Sequence, residues 1–502
     1  MIHNFLHRKM LRAGLLIATF VLLGRIAGFV REWLLAVQSG ISGSSDFAIV
    51  ILTFPDLMVN LLLSGGLTVA LVPAIRRMTP GEGSALCMQV SGLIFVVFAA
   101  MAILVSWFAV MTLHILAPGA PVDQALRYTD ELRLVSWAVP LTALSGVVVA
   151  YLNAHERFMS GAAGTLVFNL SIIAALVWSV PANIVMYVAA GALAGAMIRL
   201  SMQVFDIRYA WNRPAFTRFF VNRDLMRQYL GSFTFVTILV LLPPVARAFA
   251  SLGDPGSLTL FNFSHKLVEL PLGVAVSAIT IVLLPRLAAG FSADDRTDAH
   301  HYLVTGTRVT LLISLAIAIP FVVFADLAIK LAYFKASFAP EQSSQLSSLV
   351  ALGFLSLPFQ GMVAIYGTAF AADRNVKPLV SVSVLMLVVL LAFAPVAESR
   401  FGVGGVMAAY VLVYVLGAVL LTGRAARQFG SRLIEDIFRG TLSRLVFPAM
   451  ISVLVALLGR SVSPGLGWQA VWAVLALMSF AVAAFVADKK LFAALRRAVY
   501  KE

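Results

Sequence analysis

The sequence has little charge, one cysteine and none of the common catalytic motifs. Only 12% of its 502 residues are charged and 61% are hydrophobic, whereas roughly 25% charged is usual for soluble proteins. The single cysteine, Cys87, excludes an internal disulfide and fits no metal-ligand spacing. No HExxH, GxSxG, Walker or GxGxxG pattern occurs in a suitable context. The composition excludes a soluble globular protein, and the sequence predicts neither an enzyme nor a cofactor.

Long apolar stretches occupy most of the chain, whose mean hydropathy is +0.96. A membrane-spanning helix needs about 20 predominantly apolar residues. Fourteen stretches qualify: 10–37, 46–75, 88–115, 130–152, 162–179, 183–206, 228–251, 257–285, 303–330, 345–371, 378–396, 402–423, 443–460 and 467–487. The sequence therefore predicts an all-α, polytopic membrane protein with about 14 transmembrane helices.

The net charge of +14 is distributed unevenly between the two sides of the predicted membrane. With a cytoplasmic N-terminus, the cytoplasmic segments and the C-terminal tail carry 25 Lys and Arg residues, and the opposite loops carry about five. This asymmetry follows the positive-inside rule and places both termini in the cytoplasm. The basic tail then serves as an orientation signal with affinity for anionic headgroups, and no nucleic-acid partner is needed to explain the charge.

Proline and arginine landmarks recur at a nearly fixed offset, which indicates an internal repeat. The pairs are Pro55 and Pro271, 216 residues apart, Pro73 and Pro285 (212), Pro140 and Pro358 (218), and Arg157 and Arg374 (217). We therefore expect a six-helix half at 1–210, a second six-helix half at 211–427, and two extra helices with a basic tail at 428–502. Two halves of the same orientation predict a pseudo-two-fold axis along the membrane normal, with a substrate site between them.

Two arginines, Arg25 and Arg31, lie inside the first apolar stretch. A cation at bilayer depth costs roughly 2.5 to 3.5 kcal/mol, so it persists where it faces a protein interior or a wet cavity. The two side chains lie about 120° apart on an ideal helix, and they share a face only if the helix bends near Gly24 and Gly28. A competing interpretation pairs Arg25 with Glu32 in a purely structural role.

Acidic and basic residues on two other spans complete the predicted cavity. Asp46 begins the second span, and Asp56 follows a proline in its middle. We predict Asp56 as the counter-charge of Arg25, with ion binding as the weaker option. Lys266 and Glu269, in the eighth span, are three residues apart and share a helix face. They form either a structural bridge or the opposite wall of the cavity.

Three other arginines are assigned to the ends of their helices. Arg247 lies near the outer end of the seventh span, where a long side chain can snorkel to the surface. Arg199 and Arg308 lie within reach of the cytoplasmic face and are expected to be interfacial.

Several segments resemble, in order, the motifs of one family. They are Gly24-Arg-Ile-Ala-Gly-Phe-Val-Arg31, Ser45-Asp-Phe47, Phe54-Pro-Asp-Leu57, Ala70-Leu-Val-Pro73, Leu116-Ala-Pro-Gly119, Tyr151-Leu-Asn-Ala-His-Glu-Arg-Phe158, Arg247-Ala-Phe-Ala-Ser251, His265-Lys-Leu-Val-Glu-Leu-Pro271 and Leu283-Leu-Pro285. Their joint order covers most of the chain. It is similar to that of the MurJ (MviN) lipid II flippase family, within the multidrug/oligosaccharidyl-lipid/polysaccharide exporter superfamily.

The resemblance implies a bacterial inner-membrane flippase that moves an undecaprenyl-pyrophosphate-linked glycan to the periplasmic leaflet by alternating access. It carries substrate binding over to Arg25, Arg31, Asp46, Lys266 and Glu269. We add two further candidate substrate-binding residues: Asp56, the predicted counter-charge of Arg25, and Asn60, which stands where the family has a basic residue. Lys266 stands where the family has an arginine, so charge is kept but the bidentate fork is lost. Val59-Asn60 replaces a basic pair of the family, and Ser64 replaces a glutamate. These departures leave headgroup selectivity open.

Several alternatives follow from the same sequence. Lipid II is the favoured substrate, and an exopolysaccharide or O-antigen repeat unit is the alternative. A cation-coupled small-molecule exporter of the superfamily would need a more acidic cavity. A scaffold, or a membrane-embedded glycosyltransferase or polymerase, would need larger outer loops with paired carboxylates. Expected partners are the lipid-linked glycan, membrane lipids, and proteins of cell-wall or polysaccharide synthesis, while the coupling ion is not specified.

Overall fold

The computed structural model describes residues 2–61, 67–217, 219–292, 296–373, 375–430, 432–462, 465–489 and 491. The chain forms two compact units, Met1–Thr259 with Lys335–Ser337, and Leu260–Phe334 with Phe338–Glu502. The predicted boundary at 210 rests on the repeat, whereas the compact units divide after Thr259. The division into two halves and a C-terminal pair stays a prediction.

Helices make up both units, and no strand occurs in the described ranges. In chain order, α1 is Ile2–Ser39, α2 Gly43–Leu61, α3 Leu67–Arg76, α4 Pro80–Trp107, α5 Ala109–Leu116, α6 Val122–Arg127, α7 Thr129–Ser136, α8 Ala138–Ala154, α9 Met159–Val177, α10 Ile184–Ile207 and α11 Arg223–Ala250. They continue with α12 Ser257–Ser292, α13 Arg296–Val323, α14 Ala325–Ala332, α15 Pro340–Phe354, α16 Leu357–Ala372, α17 Lys377–Phe429, α18 Arg432–Ile437, α19 Ser443–Val462 and α20 Leu466–Ala487. The all-α prediction is confirmed.

Each predicted span lies on one or two of these helices. Nine helical segments of the described residues are long and apolar enough to cross a membrane, so the count of 14 stays a prediction. The eleventh and twelfth spans share α17, which breaks at Gly402, where φ is 59°. A positive φ suits glycine because it has no Cβ, so this residue marks the turn between the two spans.

In the first unit, α9 packs along α1 on one side and α10 on the other. Small residues permit this close approach, as is typical of membrane helices. A Cβ at Gly195 would lie 2.9 Å from the Phe168 carbonyl oxygen, and one at Gly24 would lie 3.3 Å from the Leu166 amide nitrogen. The helix α1 is unbroken at Gly24 and Gly28. The glycines expected to allow a bend therefore provide a packing surface for α9.

In the second unit, the hairpin of α19 and α20 packs against α13. Leu311, Leu445 and Phe480 form a buried cluster between these helices. At one end, Asp488 accepts a hydrogen bond from Arg444 at 3.0 Å and lies 3.8 Å from Arg308. Arg308 thus has a defined ion pair, and the two extra helices predicted at the C-terminus are joined to the rest of their unit.

Candidate functional site

A buried guanidinium on α1 organises the polar site of the first unit. Arg31 is only 4% exposed. Its Nη2 donates to Glu32 Oε1 at 2.9 Å and to Asp56 Oδ2 at 3.0 Å. Its Nη1 donates to Asn169 Oδ1 at 3.1 Å and to Asp56 Oδ1 at 3.4 Å. The contact with Asp56 is therefore bidentate, the arrangement that a planar guanidinium makes with carboxylates and phosphates.

The three charged members of this site differ in access. The side chain of Asp56 is 29% exposed, whereas those of Arg31 and Glu32 are 5% and 4% exposed. The Nε atom of Arg31 is buried without a hydrogen-bond partner among the described residues. A ligand can therefore reach Arg31 most readily from the side that Asp56 occupies.

Asn169 on α9 connects the site to the helix that carries Arg31. Its Oδ1 accepts from Arg31, and its Nδ2 donates to the Gly24 carbonyl at 3.2 Å and to the Thr165 carbonyl at 3.1 Å. A Cβ on Gly28 would lie 3.4 Å from the same Nδ2. Sequence analysis missed Asn169, although an asparagine within an apolar span is a detectable signal because a buried amide needs partners.

A second arginine contacts α2 from α11. Arg247 Nη1 donates to Thr53 Oγ1 at 3.3 Å, and its Nε donates to the Pro243 carbonyl at 3.5 Å. Thr53 lies three residues before Asp56, so both occupy one face of α2. Arg247 was expected to snorkel to the surface, but it is half-buried and its side chain adds positive charge near this face of α2.

The structure changes the expected pairing of the first-helix arginines. The guanidinium bonded to Asp56 is that of Arg31, whereas sequence analysis predicted Asp56 as the counter-charge of Arg25. Arg31 also bonds to Glu32, which the competing interpretation paired with Arg25. Arg25 is exposed, while Arg31 is buried. This contrast agrees with the predicted separation of about 120° around the helix.

Asp46 accepts three hydrogen bonds at the start of α12. Its Oδ2 accepts from the Gly256 amide at 2.6 Å, and its Oδ1 accepts from the Thr259 amide at 2.7 Å and hydroxyl at 2.6 Å. A carboxylate at this position satisfies amides that a helix N-terminus leaves without partners. Asp46 therefore fastens α2 to the first turn of α12, and its predicted substrate contact stays a prediction.

In the second unit, Lys266 and Glu269 pair as their spacing predicts. Lys266 Nζ donates to Glu269 Oε2 at 2.8 Å, and the side chains are 25% and 51% exposed. His265 Nε2 lies 4.0 Å from the same oxygen. The His265 ring is 5.2 Å from that of Tyr410 in an edge-to-face arrangement and stacks on Phe261. The Lys266 ammonium is thus partly open to solvent or ligand, and its neighbour His265 belongs to an aromatic cluster.

Part of the predicted site lies outside the described residues. The backbone of Asn60 belongs to α2, but its side chain and that of Val59 are not described, and neither is Ser64. Their substrate roles stay predictions. No group of three His, Cys, Asp or Glu side chains that could hold a metal ion occurs in the part of the chain that the structure describes.

Arg199 on α10 is fully buried within the protein, and its expected position at the cytoplasmic interface stays a prediction. Its three guanidinium nitrogens and both amide atoms of Gln203 have no hydrogen-bond partner among the described residues. Gly164 on α9 makes room for this side chain, since a Cβ there would lie 2.7 Å from Arg199 Nε. Distance from a helix end did not predict this burial, because it carries no information about the neighbouring helix.

A multi-pass helical protein with paired cations inside its helix bundle is typical of a membrane transporter. The fold is similar to that of a multidrug resistance MATE family transporter of the MOP superfamily in an inward-facing conformation, with TM-score 0.68 and 14% identity over 81% of this chain and 95% of that one. It is also similar to the structure described as lipid II flippase MurJ, inward closed conformation. That match has TM-score 0.82 and 16% identity, and it covers 95% of this chain and 100% of the other.

Sequence comparison is more specific. The family model described as "Lipid II flippase MurJ" matches residues 40–477. A probable lipid II flippase MurJ of Rhizobium tropici is 25% identical over 454 residues, or 83% of each chain. The chain belongs to the lipid II flippase MurJ family, as its motifs predict.

Proposed function

We propose that this protein moves an undecaprenyl-pyrophosphate-linked glycan, with lipid II as the favoured substrate, from the cytoplasmic to the periplasmic leaflet of a bacterial inner membrane. The observation that carries the proposal is the buried Arg31 in bidentate contact with the partly exposed Asp56. A diphosphate presents the same paired oxygens to a guanidinium, so it can take the place of the Asp56 carboxylate.

The charged side chains on α1, in the middle of α2 and near the end of α11 support an anionic substrate. Three arginines, Arg25 and Arg31 on α1 and Arg247 on α11, stand against two carboxylates, Glu32 on α1 and Asp56 on α2. When a diphosphate replaces Asp56 on Arg31, Asp56 loses its principal cation and repels the incoming charge. Binding therefore changes the interactions of α1 with α2, and a ligand that favours one arrangement of these helices shifts the conformational equilibrium.

Lys266 supplies a further cation from the second unit. Its side chain is one-quarter exposed, and the acid that holds it, Glu269, is half exposed. The pair can open without leaving a buried charge, so its loss costs little. We assign Lys266 to the diphosphate and Glu269 to holding Lys266 when no substrate is bound.

The remaining steps follow from the chemistry of the substrate. We place the polyprenyl tail in lipid along α19 and α20, and both chain termini in the cytoplasm. An inside-negative potential favours outward movement of an anion by roughly 2.3 kcal/mol per unit charge per 100 mV. This is enough to bias the cycle, and an ion-driven return step is compatible with it.

The test is flipping by purified protein in liposomes that contain a fluorescent lipid II, measured as the fraction accessible to an added membrane-impermeant reagent. We expect Arg25→Gln and Lys266→Gln to reduce the rate at least tenfold. Arg133→Gln is the control, because Arg133 is 52% exposed and its described side-chain contacts are the exposed Asp130 and the Ser106 carbonyl, both away from the Arg31 site. Normal rates in both site variants would contradict the proposal.

Two further substrates separate the alternatives. A glycan on a polyprenyl monophosphate should flip more slowly than the diphosphate, because it offers one phosphate fewer to the cations assigned to the substrate. Equal rates would argue against recognition of the diphosphate. If the protein transports an O-antigen repeat unit but not lipid II, and this transport depends equally on Lys266, diphosphate recognition would stand and the assigned glycan would change.

A further inference from the structure

We propose that a pocket at the C-terminal end of α17 binds the phosphodiester headgroup of an anionic phospholipid, apart from the transported substrate. The pocket has a volume of about 500 Å³. Its lining consists of Asp373, Asn375, Pro378, Arg424, Arg427, Gln428 and Phe429. All of these residues belong to the second unit. In the orientation proposed above, this end of α17 faces the cytoplasm.

The internal repeat relates this pocket to a region of the first unit where a carboxylate lies. In the first unit, Asp206 near the end of α10 accepts from Ser160, the second residue of α9, at 2.7 Å. It is also bound by Arg157, in the connection before α9. A carboxylate therefore lies at the N-terminus of α9, where the helix dipole favours an anion.

The corresponding position in the second unit carries the opposite charge. Arg424 Nη1 donates to the carbonyl of Pro378, the second residue of α17, at 3.3 Å. Arg424 and Pro378 are 46 residues apart, as are Asp206 and Ser160. The shared spacing places Arg424 at the position of Asp206, so an arginine stands where the first unit has a carboxylate.

The cations of the pocket are only partly satisfied by the protein. Arg424 uses Nη1 for Pro378 and Ser381, and its Nε and Nη2 have no partner among the described residues. Arg427 is exposed and makes no hydrogen bond or ion pair within the described ranges. Among the described lining residues, the one acid, Asp373, accepts from Gln428 Nε2.

An external anion can therefore take the place of the missing carboxylate. The described lining residues carry two arginines against one aspartate. The helix α17 begins at Lys377 without a side-chain cap, so amides at its N-terminus remain available to an anion. A singly charged phosphodiester matches the net charge of these described residues. At a membrane surface, the source of such a group is the anionic lipid of the adjacent leaflet.

The test is lipid binding by purified protein, measured by native mass spectrometry after titration with phosphatidylglycerol in detergent, without lipid II. We expect the double variant Arg424→Gln/Arg427→Gln to weaken binding at the strongest site about 25-fold, from about fivefold per arginine. Arg427→Gln alone should weaken it about fivefold, and it removes no contact of the fold that the structure describes. Arg424→Asp, which places at this position the carboxylate that Asp206 provides in the first unit, should abolish lipid binding.

The matched control is Arg432→Gln/Arg439→Gln, which removes the same charge from exposed positions just beyond α17. Equal weakening by the control would show nonspecific attraction to basic residues and overturn the proposal. Displacement of the lipid by millimolar inorganic phosphate would assign the pocket to a soluble phosphate and refute the lipid. Because the assay contains no lipid II, its failure would leave the flippase proposal intact, and a failure of flipping would leave the pocket intact.

Discussion

The ion pair between Arg31 and Asp56 should be strongly coupled to the stability of the first unit. At the observed 3.0 Å, two unit charges attract each other by about 5 kcal/mol at an effective dielectric constant of 20. Two features reduce this attraction: the Asp56 side chain is 29% exposed, and Arg31 also bonds to the Glu32 carboxylate. We expect a coupling free energy of about 2 kcal/mol, within the usual range for contacting residues.

The measurement is a double-mutant cycle of Arg31→Gln and Asp56→Asn, read as the free energy of unfolding in mixed micelles. Arg31→Gln should be the more damaging single change, because it leaves two carboxylates without their shared cation. Asp56→Asn should cost less, since Arg31 keeps Glu32. The double variant should be about 2 kcal/mol more stable than the sum of the single effects predicts.

The exposed pair of Arg133 and Asp130 provides the matched cycle. Its N to O distance is 2.8 Å, but its side chains are 52% and 77% exposed. Its coupling should be below about 0.5 kcal/mol. Equal coupling in the two cycles, or additive effects at Arg31 and Asp56, would refute the view that burial strengthens the Arg31 pair.

Three further changes test other contacts by thermal unfolding of the purified protein. Arg199→Met should leave the melting temperature unchanged or raise it, because methionine removes three buried nitrogens that lack partners among the described residues. A large fall in the melting temperature would show that Arg199 has a partner in the membrane. Asp46→Ala should destabilise by about 1–3 kcal/mol by releasing the amides of the first turn of α12, and an unchanged melting temperature would contradict this role. Gly119→Ala should lower the melting temperature by several degrees, because the new Cβ would collide with the Ser251 carbonyl oxygen. Its control is Gly92→Ala, whose Cβ would have no heavy atom within 4 Å and which should be neutral or stabilising.

The sequence predicts the helices well because apolar length is a local property. The eighth-span pair also follows from spacing alone, since Lys266 and Glu269 are neighbours on any α-helix. Their observed contact at 2.8 Å confirms this. The opposite charges of Asp206 and Arg424 can also be read from the sequence. Only their contacts with Ser160 and Pro378 show that the two side chains occupy corresponding positions.

Contacts between helices were less predictable. The partner of Asp56 depends on how α1 is rotated against α2, which helical periodicity does not determine. Asn169 joins the site because α9 approaches α1 closely at the α1 glycines. Asp46 bonds to the start of α12, about 210 residues further along the chain. Arg199 is buried by packing against α9, although it lies near the end of its own helix.

Complementation tests the central claim most directly. The protein is expressed in a bacterium depleted of its own lipid II flippase, alongside Arg25→Gln, Lys266→Gln and the control Arg133→Gln, with membrane levels measured for each. The account predicts that the parent chain and the control support growth and that the two site variants do not. Growth supported equally by all four chains would contradict a cationic diphosphate site, and lysis of all four at normal membrane levels would contradict lipid II as the substrate.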